Sequence, residues 1–121
     1  MINIYRIILL VFLCMSSTYA HADIIGTVKK VVDGDTIHLT DDNGKLHKIR
    51  LLGIDAPEMD QSFGFESREM LVNLVEGERV IIDSRKKDRY KRILGKIYLD
   101  DIDVNLTMIS KGLAWHYKRY R

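Results

Sequence analysis

Three short runs of β-branched and apolar residues stand between positions 24 and 52, divided by two turn signals, and they constrain the fold more than anything else in the chain. Residues 24–32 (IIGTVKKVV) read as a strand. Asp33-Gly34 reads as a turn. Thr36-Ile37-His38-Leu39-Thr40 alternates as a half-buried strand does. Asp41-Asp42-Asn43-Gly44 supplies an Asn-Gly pair, which tolerates the positive φ of a tight hairpin. Residues 45–52 return as a third strand, so the chain starts as a β-meander.

Residues 53–63 carry turn residues without a period and read as a loop. Phe65, Met70, Leu71, Leu74 and Val75 then recur at helical spacing, up to the stop signal Glu76-Gly77. Residues 79–83 and 93–99 read as a fourth and a fifth strand, joined by the charged segment 84–92. Residues 104–111 read as a short helix with Leu106, Ile109 and Leu113 inward, stopped at Gly112. The expected class is β-rich α+β: a five-stranded Greek-key barrel of the OB type with two to three helices.

The front end reads differently. Residues 7–15 are an unbroken apolar run behind Arg6, and Ala20-His21-Ala22 places small residues where a leader is cleaved. That is the layout of a secretory signal peptide, and the run is short for a membrane span. The expected domains are a leader, residues 1–22, and one unit, residues 23–121. Export to the periplasm or the medium follows, with no stable span after cleavage. An uncleaved anchor is the alternative; lipidation at Cys14 fits poorly after bulky Leu13. Cys14 is the chain's one cysteine, so no internal disulfide is available.

Composition excludes whole classes. The chain has 121 residues, 46% apolar and 30% charged, which excludes a disordered tail, a collagen-like repeat and a polytopic membrane protein. The net charge of +2 is too small to imply a polyanionic partner, so local clustering must carry that argument.

Three clusters do. The first is Asp33-Gly34-Asp35-Thr36: two carboxylates flanking a glycine can aim oxygens into one concavity, as hard cations need. The second is Arg50-Leu51-Leu52-Gly53-Ile54-Asp55-Ala56-Pro57-Glu58, where the chain's one proline stiffens a loop bearing Asp55 and Glu58. The third is Arg85-Lys86-Lys87-Asp88-Arg89-Tyr90-Lys91-Arg92, six of whose eight residues are basic, with Tyr90 offering a ring to a base. Each has an ordinary reading: an Asp-Gly turn, a surface Arg50–Glu58 ion pair, a solvated charged loop. Together they read as one site for phosphodiester cleavage. Glu58 is the candidate base, Arg50 and Arg92 the bidentate phosphate clamps, Asp35 and Asp55 the metal ligands.

Three motifs in order, Val32-Asp33-Gly34-Asp35-Thr36, Ile49-Arg50-Leu51-Leu52-Gly53-Ile54-Asp55-Ala56-Pro57-Glu58 and Asp88-Arg89-Tyr90-Lys91-Arg92, make the chain similar to the thermonuclease, or staphylococcal-nuclease-like, family, from about residue 24 to residue 120. The resemblance implies a calcium-dependent OB-fold nuclease acting on DNA and RNA and leaving 3′-phosphates. Arg50, Glu58 and Arg92 fall on the family's catalytic positions. Asp35 and Asp55 fall on its calcium carboxylates, and Ala56 on a position offering a backbone carbonyl. Tyr90, Lys91 and Tyr117 or Tyr120 are implied to bind substrate. Asp33 is read as a nearby acid, not a ligand. Two carboxylate ligands imply modest calcium affinity. The loop after Glu58 is short beside the longest family versions. Family members usually continue with another helix, so a C-terminal helix is expected to be missing here.

Other residues are read plainly. His38 and His47 lie on facing strands but make no metal site alone. Thr36 is expected to support Asp35 through its hydroxyl. Trp115 is read as a packing residue, with base stacking as the alternative. Met59, Met70 and Met108 are read as loop and core. A monomer is expected. The competing functional reading is a non-catalytic OB module that binds single strands or a protein partner; a structural or metal-binding envelope protein ranks behind it.

Overall fold

The computed structural model describes residues 3–5 and 23–116. Most of the expected leader, and Tyr117 and Tyr120, lie outside the described residues. Strands β1 (Asp23–Asp33), β2 (Thr36–Asp41) and β3 (Leu46–Leu51) form the expected antiparallel meander. Asp41 fixes the hairpin: its Oδ1 accepts the N–H groups of Asn43 and Lys45, both at 2.9 Å, and Gly44 takes φ 85°.

A two-residue strand follows, β4 (Ile54–Asp55), then helix α1 (Gly64–Val75). Strands β5 (Arg79–Lys87), β6 (Ile93–Leu99) and β7 (Ile102–Asp103) lead into helix α2 (Val104–Ser110) and strand β8 (Trp115–His116). The main sheet runs β3-β2-β1-β5-β6-β7, and a parallel pairing of β3 with β6 closes it into a five-stranded barrel. The expected OB-type class therefore holds. Among the described residues no helix is long and apolar enough to cross a membrane.

The barrel interior is filled by the inward positions of each strand, among them Val28, Val31, Ile37, Leu39, Ile49, Leu51, Ile82 and Ile97. Each such side chain contributes about 1.5–3 kcal/mol on burial. Helix α1 covers one end with a narrow stripe, Gly64, Ser67, Leu71 and Val75. Helix α2 covers another with Val104, Asn105 and Met108. Asn105 ties the closure together: its Nδ2 donates to the carbonyls of Leu52 (2.9 Å) and Gly95 (3.2 Å), and its Oδ1 accepts the Ile97 N–H at 3.1 Å.

Four local expectations need correction. Leu106 is 61% exposed, because Asp103 caps the helix at the Leu106 N–H and so turns residues 104, 105 and 108 inward instead. Phe65 is also exposed, since Ser67 rather than an aromatic takes the contact beneath α1. Strand β5 runs on to Lys87, so the first three residues of the basic segment are sheet, not loop. Trp115 is 64% exposed, not core; it pairs through its backbone with Asp55.

Candidate active site

The β1–β2 turn supplies the first acids. Asp33 Oδ1 accepts the Asp35 N–H at 3.1 Å, which sets the turn. Asp35 is buried, and its carboxylate is shared: Oδ1 accepts the Thr36 hydroxyl and Oδ2 the Ala56 N–H, both at 2.9 Å. Thr36 thus supports Asp35 as expected. Gly34 is demanded by packing, because a Cβ there would overlap Ser67 Oγ and crowd the Ala56 Cβ at 2.8 Å. Ser67 Oγ donates instead to the Leu113 carbonyl at 2.7 Å, fastening α1 beside this turn.

Arg50 ends β3 beneath that loop. Its side chain is buried, unlike a surface ion-pair partner. Nη1 donates to the Leu51 and Ile54 carbonyls, both at 2.8 Å, and so staples the β3–β4 turn. Nη2 lies 3.4 Å from Asp35 Oδ2 and 3.4 Å from Asp55 Oδ1. The two carboxylates therefore converge on one guanidinium nitrogen. Burying that guanidinium is tolerable only because its charge and donors are matched.

Glu58 stands exposed on the loop after buried Pro57. Its backbone is held by Gln61, whose Oε1 accepts the Glu58 N–H at 2.8 Å and whose own N–H donates to the Glu58 carbonyl at 2.9 Å. Gly64 closes the same knot; its N–H donates to the Gln61 carbonyl at 3.1 Å, and a Cβ there would overlap the Glu58 carbonyl oxygen.

Arg92 comes from the far side, at the start of β6. Asp88 orients it: Oδ2 accepts Arg92 Nε at 2.8 Å and Oδ1 accepts the Arg92 N–H at 3.0 Å. Asp88 Oδ1 also accepts the Tyr90 N–H at 2.9 Å, so one carboxylate organises the whole turn. Burial raises the Asp88 pKa, but these bonds from Arg92 and Tyr90 outweigh it and hold the carboxyl below its ordinary value.

These elements meet in a cleft of about 220 Å³ lined by Asp33, Asp35, Arg50, Asp55, Ala56, Glu58 and Arg92. Every expected catalytic and metal residue is in that set. Tyr90 lies next door, in a shallow pocket of about 320 Å³ shared with Lys48 and Arg92. Its ring faces two guanidiniums, Arg89 at 4.9 Å and Arg92 at 5.3 Å from the centroid. Lys91 sits at the turn tip with φ 63° and lines neither cavity. Tyr117 lies outside the described residues. A separate cavity of about 510 Å³ shares no residue with the cleft. His38 and His47 do not pair: His38 stands opposite Lys48, while His47 Nε2 lies 2.7 Å from Asp41 Oδ2.

Four carboxylates face two guanidiniums in the cleft lining. Burial, then the hydrogen bond and charge of Asp35, push Asp33 up to about 6, against the pull of Arg50. Such an excess of acid repels a phosphodiester and suits a hard cation with oxygen ligands. No group of three or more His, Cys, Asp or Glu side chains placed to hold a metal occurs among the described residues. A cation here would take two carboxylates, Asp35 and Asp55, and complete its shell from backbone and water. Oxygen donors of this kind suit a hard divalent cation.

Three contributors escape sequence reasoning: Gln61, Asp88 as the holder of Arg92, and Asn105. Only Asp88 left a signal, an Asp followed by the Tyr90 and Arg92 N–H groups at the spacing of an Asx turn.

Comparison with known proteins adds the last observation. Residues 48–121 match the family model described as staphylococcal nuclease homologue. An Escherichia coli protein named as an uncharacterized endonuclease is 46% identical over 100 residues, covering 82% of this chain and 65% of its own length. One of the same description from Haemophilus influenzae is 38% identical over 113 residues, 93% of this chain and 63% of its own. A Shigella flexneri micrococcal nuclease is 35% identical over 113 residues, 86% of this chain and 64% of its own. The chain thus spans a little under two thirds of each of these relatives.

Proposed function

The chain belongs to the staphylococcal nuclease homologue family, and on that premise we propose that it is an exported, calcium-dependent nuclease that hydrolyses phosphodiester bonds of DNA and RNA. One observation carries the reading: Arg50, Arg92 and Glu58, from three separate segments, line one cleft with Asp35 and Asp55.

In this reading the Glu58 carboxylate takes a proton from a water that attacks phosphorus. The P–O5′ bond breaks, the 5′ oxygen leaves and gains a proton, and the 3′ side keeps the phosphate. Arg50 and Arg92 donate to the phosphoryl oxygens, where negative charge grows in the transition state. Two carbonyls fix Arg50 at Nη1, and its Nη2 would exchange the carboxylates of Asp35 and Asp55 for the phosphoryl oxygens. Asp35, Asp55 and the Ala56 carbonyl would hold calcium, whose charge would offset the acids of the cleft. Tyr90, Lys91 and Tyr117 would bind the flanking nucleotides. The nuclease names of the relatives support the reaction class.

The test is cleavage of single-stranded DNA by the purified chain, in calcium and in chelator, with circular dichroism on the same sample. Cleavage in calcium alone, leaving 3′-phosphates, supports the reading. A folded chain that binds the strand and never cuts it is instead the non-catalytic OB module.

A further inference from the structure

The outer face of the meander carries a second pattern. Lys30 of β1 stands opposite His38 of β2, and His38 stands opposite Lys48 of β3. Residues paired in this way share one face of the sheet. The next strand round the barrel is β6, where Ile93 lies level with Ile49, so Arg92 comes level with Lys48. Lys48 and Arg92 indeed line one pocket, together with Tyr90. Four nitrogenous side chains therefore form a row across four consecutive strands. Its last member also lines the catalytic cleft.

Such a row is unfavourable by itself. Lys48 and Arg92 come level on adjacent strands, and like charges so placed repel and weaken a sheet. Among the described residues neither Lys30 nor Lys48 has a carboxylate within ion-pair distance. His38 sits between them, and burial, then Lys30 and Lys48, lower its pKa below the ordinary value. It stays neutral at pH 7, so the unpaired charge of the row rests on Lys30 and Lys48, while Arg92 is paired with Asp88. A stretch of sheet that keeps uncompensated cations in line, leading to a phosphate clamp, has the chemistry of a polyanion track.

We propose that a single nucleic-acid strand leaves the cleft at Arg92, crosses the Lys48–Tyr90 pocket and runs over the outer face of β3, β2 and β1, its phosphates on Lys48 and Lys30. The inference rests on the nuclease reading for the nature of the polyanion. It adds a site outside the cleft and makes Lys48 and Lys30 length-sensing residues. They touch the strand away from the reacting phosphate, so they govern its capture and not the chemical step.

The experiment compares the full chain with its Lys30→Gln/Lys48→Gln double variant. Binding of short (about four-nucleotide) and long (about sixteen-nucleotide) single strands is followed by fluorescence anisotropy in chelator over a salt series. Cleavage of both strands is measured separately in calcium. The wild type should bind the long strand more tightly, and the double variant should lose that gain. Its salt slope on the long strand should fall by about 0.7 for each phosphate contact removed. The short strand should lose at most the one contact at Lys48, and KM should rise chiefly on the long strand with kcat unchanged. Thermal unfolding should move up, since the variant relieves repulsion. Equal losses on short and long strands, or an unchanged salt slope, would overturn the track. A chain that binds strands in this length-dependent way but cleaves neither would overturn the nuclease reading and leave the track standing.

Discussion

Asp35 Oδ2 accepts the backbone N–H of Ala56 at 2.9 Å, and this bond joins the β1–β2 turn to the loop that carries Glu58. The same oxygen lies 3.4 Å from Arg50 Nη2. One carboxylate thus positions the loop and balances a buried guanidinium, and in the proposed reading it also holds the cation. A residue so placed has a structural and a chemical role at once, and the two can be separated.

Asp35→Asn retains an oxygen for the Ala56 N–H but loses the charge. It should keep most of the fold and require markedly more calcium for cleavage. Asp35→Ala loses both and leaves Arg50 short of a partner, so it should also cost about 3–5 kcal/mol of stability. Urea unfolding and calcium titrations of the two variants check this. Equal calcium requirements in Asp35→Asn and wild type would remove Asp35 from the ligand set.

Gln61 should matter to catalysis without touching substrate. Its Oε1 is the acceptor for the Glu58 N–H. Gln61→Ala frees the loop and should lower kcat about tenfold, the equivalent of one neutral hydrogen bond of about 1–1.5 kcal/mol, with KM little changed. Gln61→Glu keeps the acceptor and should recover most of the loss. Identical kcat values for all three proteins would show that Glu58 is positioned by something else.

How far the sequence reveals this arrangement depends on range. The meander is legible because its turns are local: Asp33-Gly34 and Asn43-Gly44 announce themselves, and alternation fixes which side chains point inward. The motifs around Asp35, Arg50, Glu58 and Arg92 name the residues, but not that Arg50 is buried and stapled to the Leu51 and Ile54 carbonyls. Leu106 misleads because a seven-residue helix has too few turns for a period, and the Asp103 cap sets its rotation. The β4–β8 pair is invisible to pattern, being two residues long on each side. Asn105 and Ser67 act through backbone carbonyls of distant segments, Leu52 and Leu113, and no local pattern encodes such partners.

The Asp88–Arg92 pair sets a pH dependence. The Asp88 pKa lies below its ordinary value in the folded chain, where Arg92 and Tyr90 favour the ionised form over the effect of burial. A depressed carboxylate contributes stability that is fully present above the unfolded value, about 3.9, and lost as pH falls through the folded one. Asp88→Asn should therefore be less stable than wild type at neutral pH, and the gap should close in acid. Urea midpoints of both proteins along a pH series read this directly. A gap independent of pH would mean that the charge on Asp88 contributes nothing.

The central claim is that Glu58 activates water while the rest of the cleft holds phosphate. Glu58→Gln is close in shape, keeps the backbone bonds to Gln61 and removes the base. Cleavage of single-stranded DNA in calcium, measured beside binding of the same strand in chelator, separates the two functions. Glu58→Gln should lower cleavage about 10²–10⁴-fold and leave binding within about twofold of wild type. Cleavage at the wild-type rate would contradict the account, whatever the binding shows.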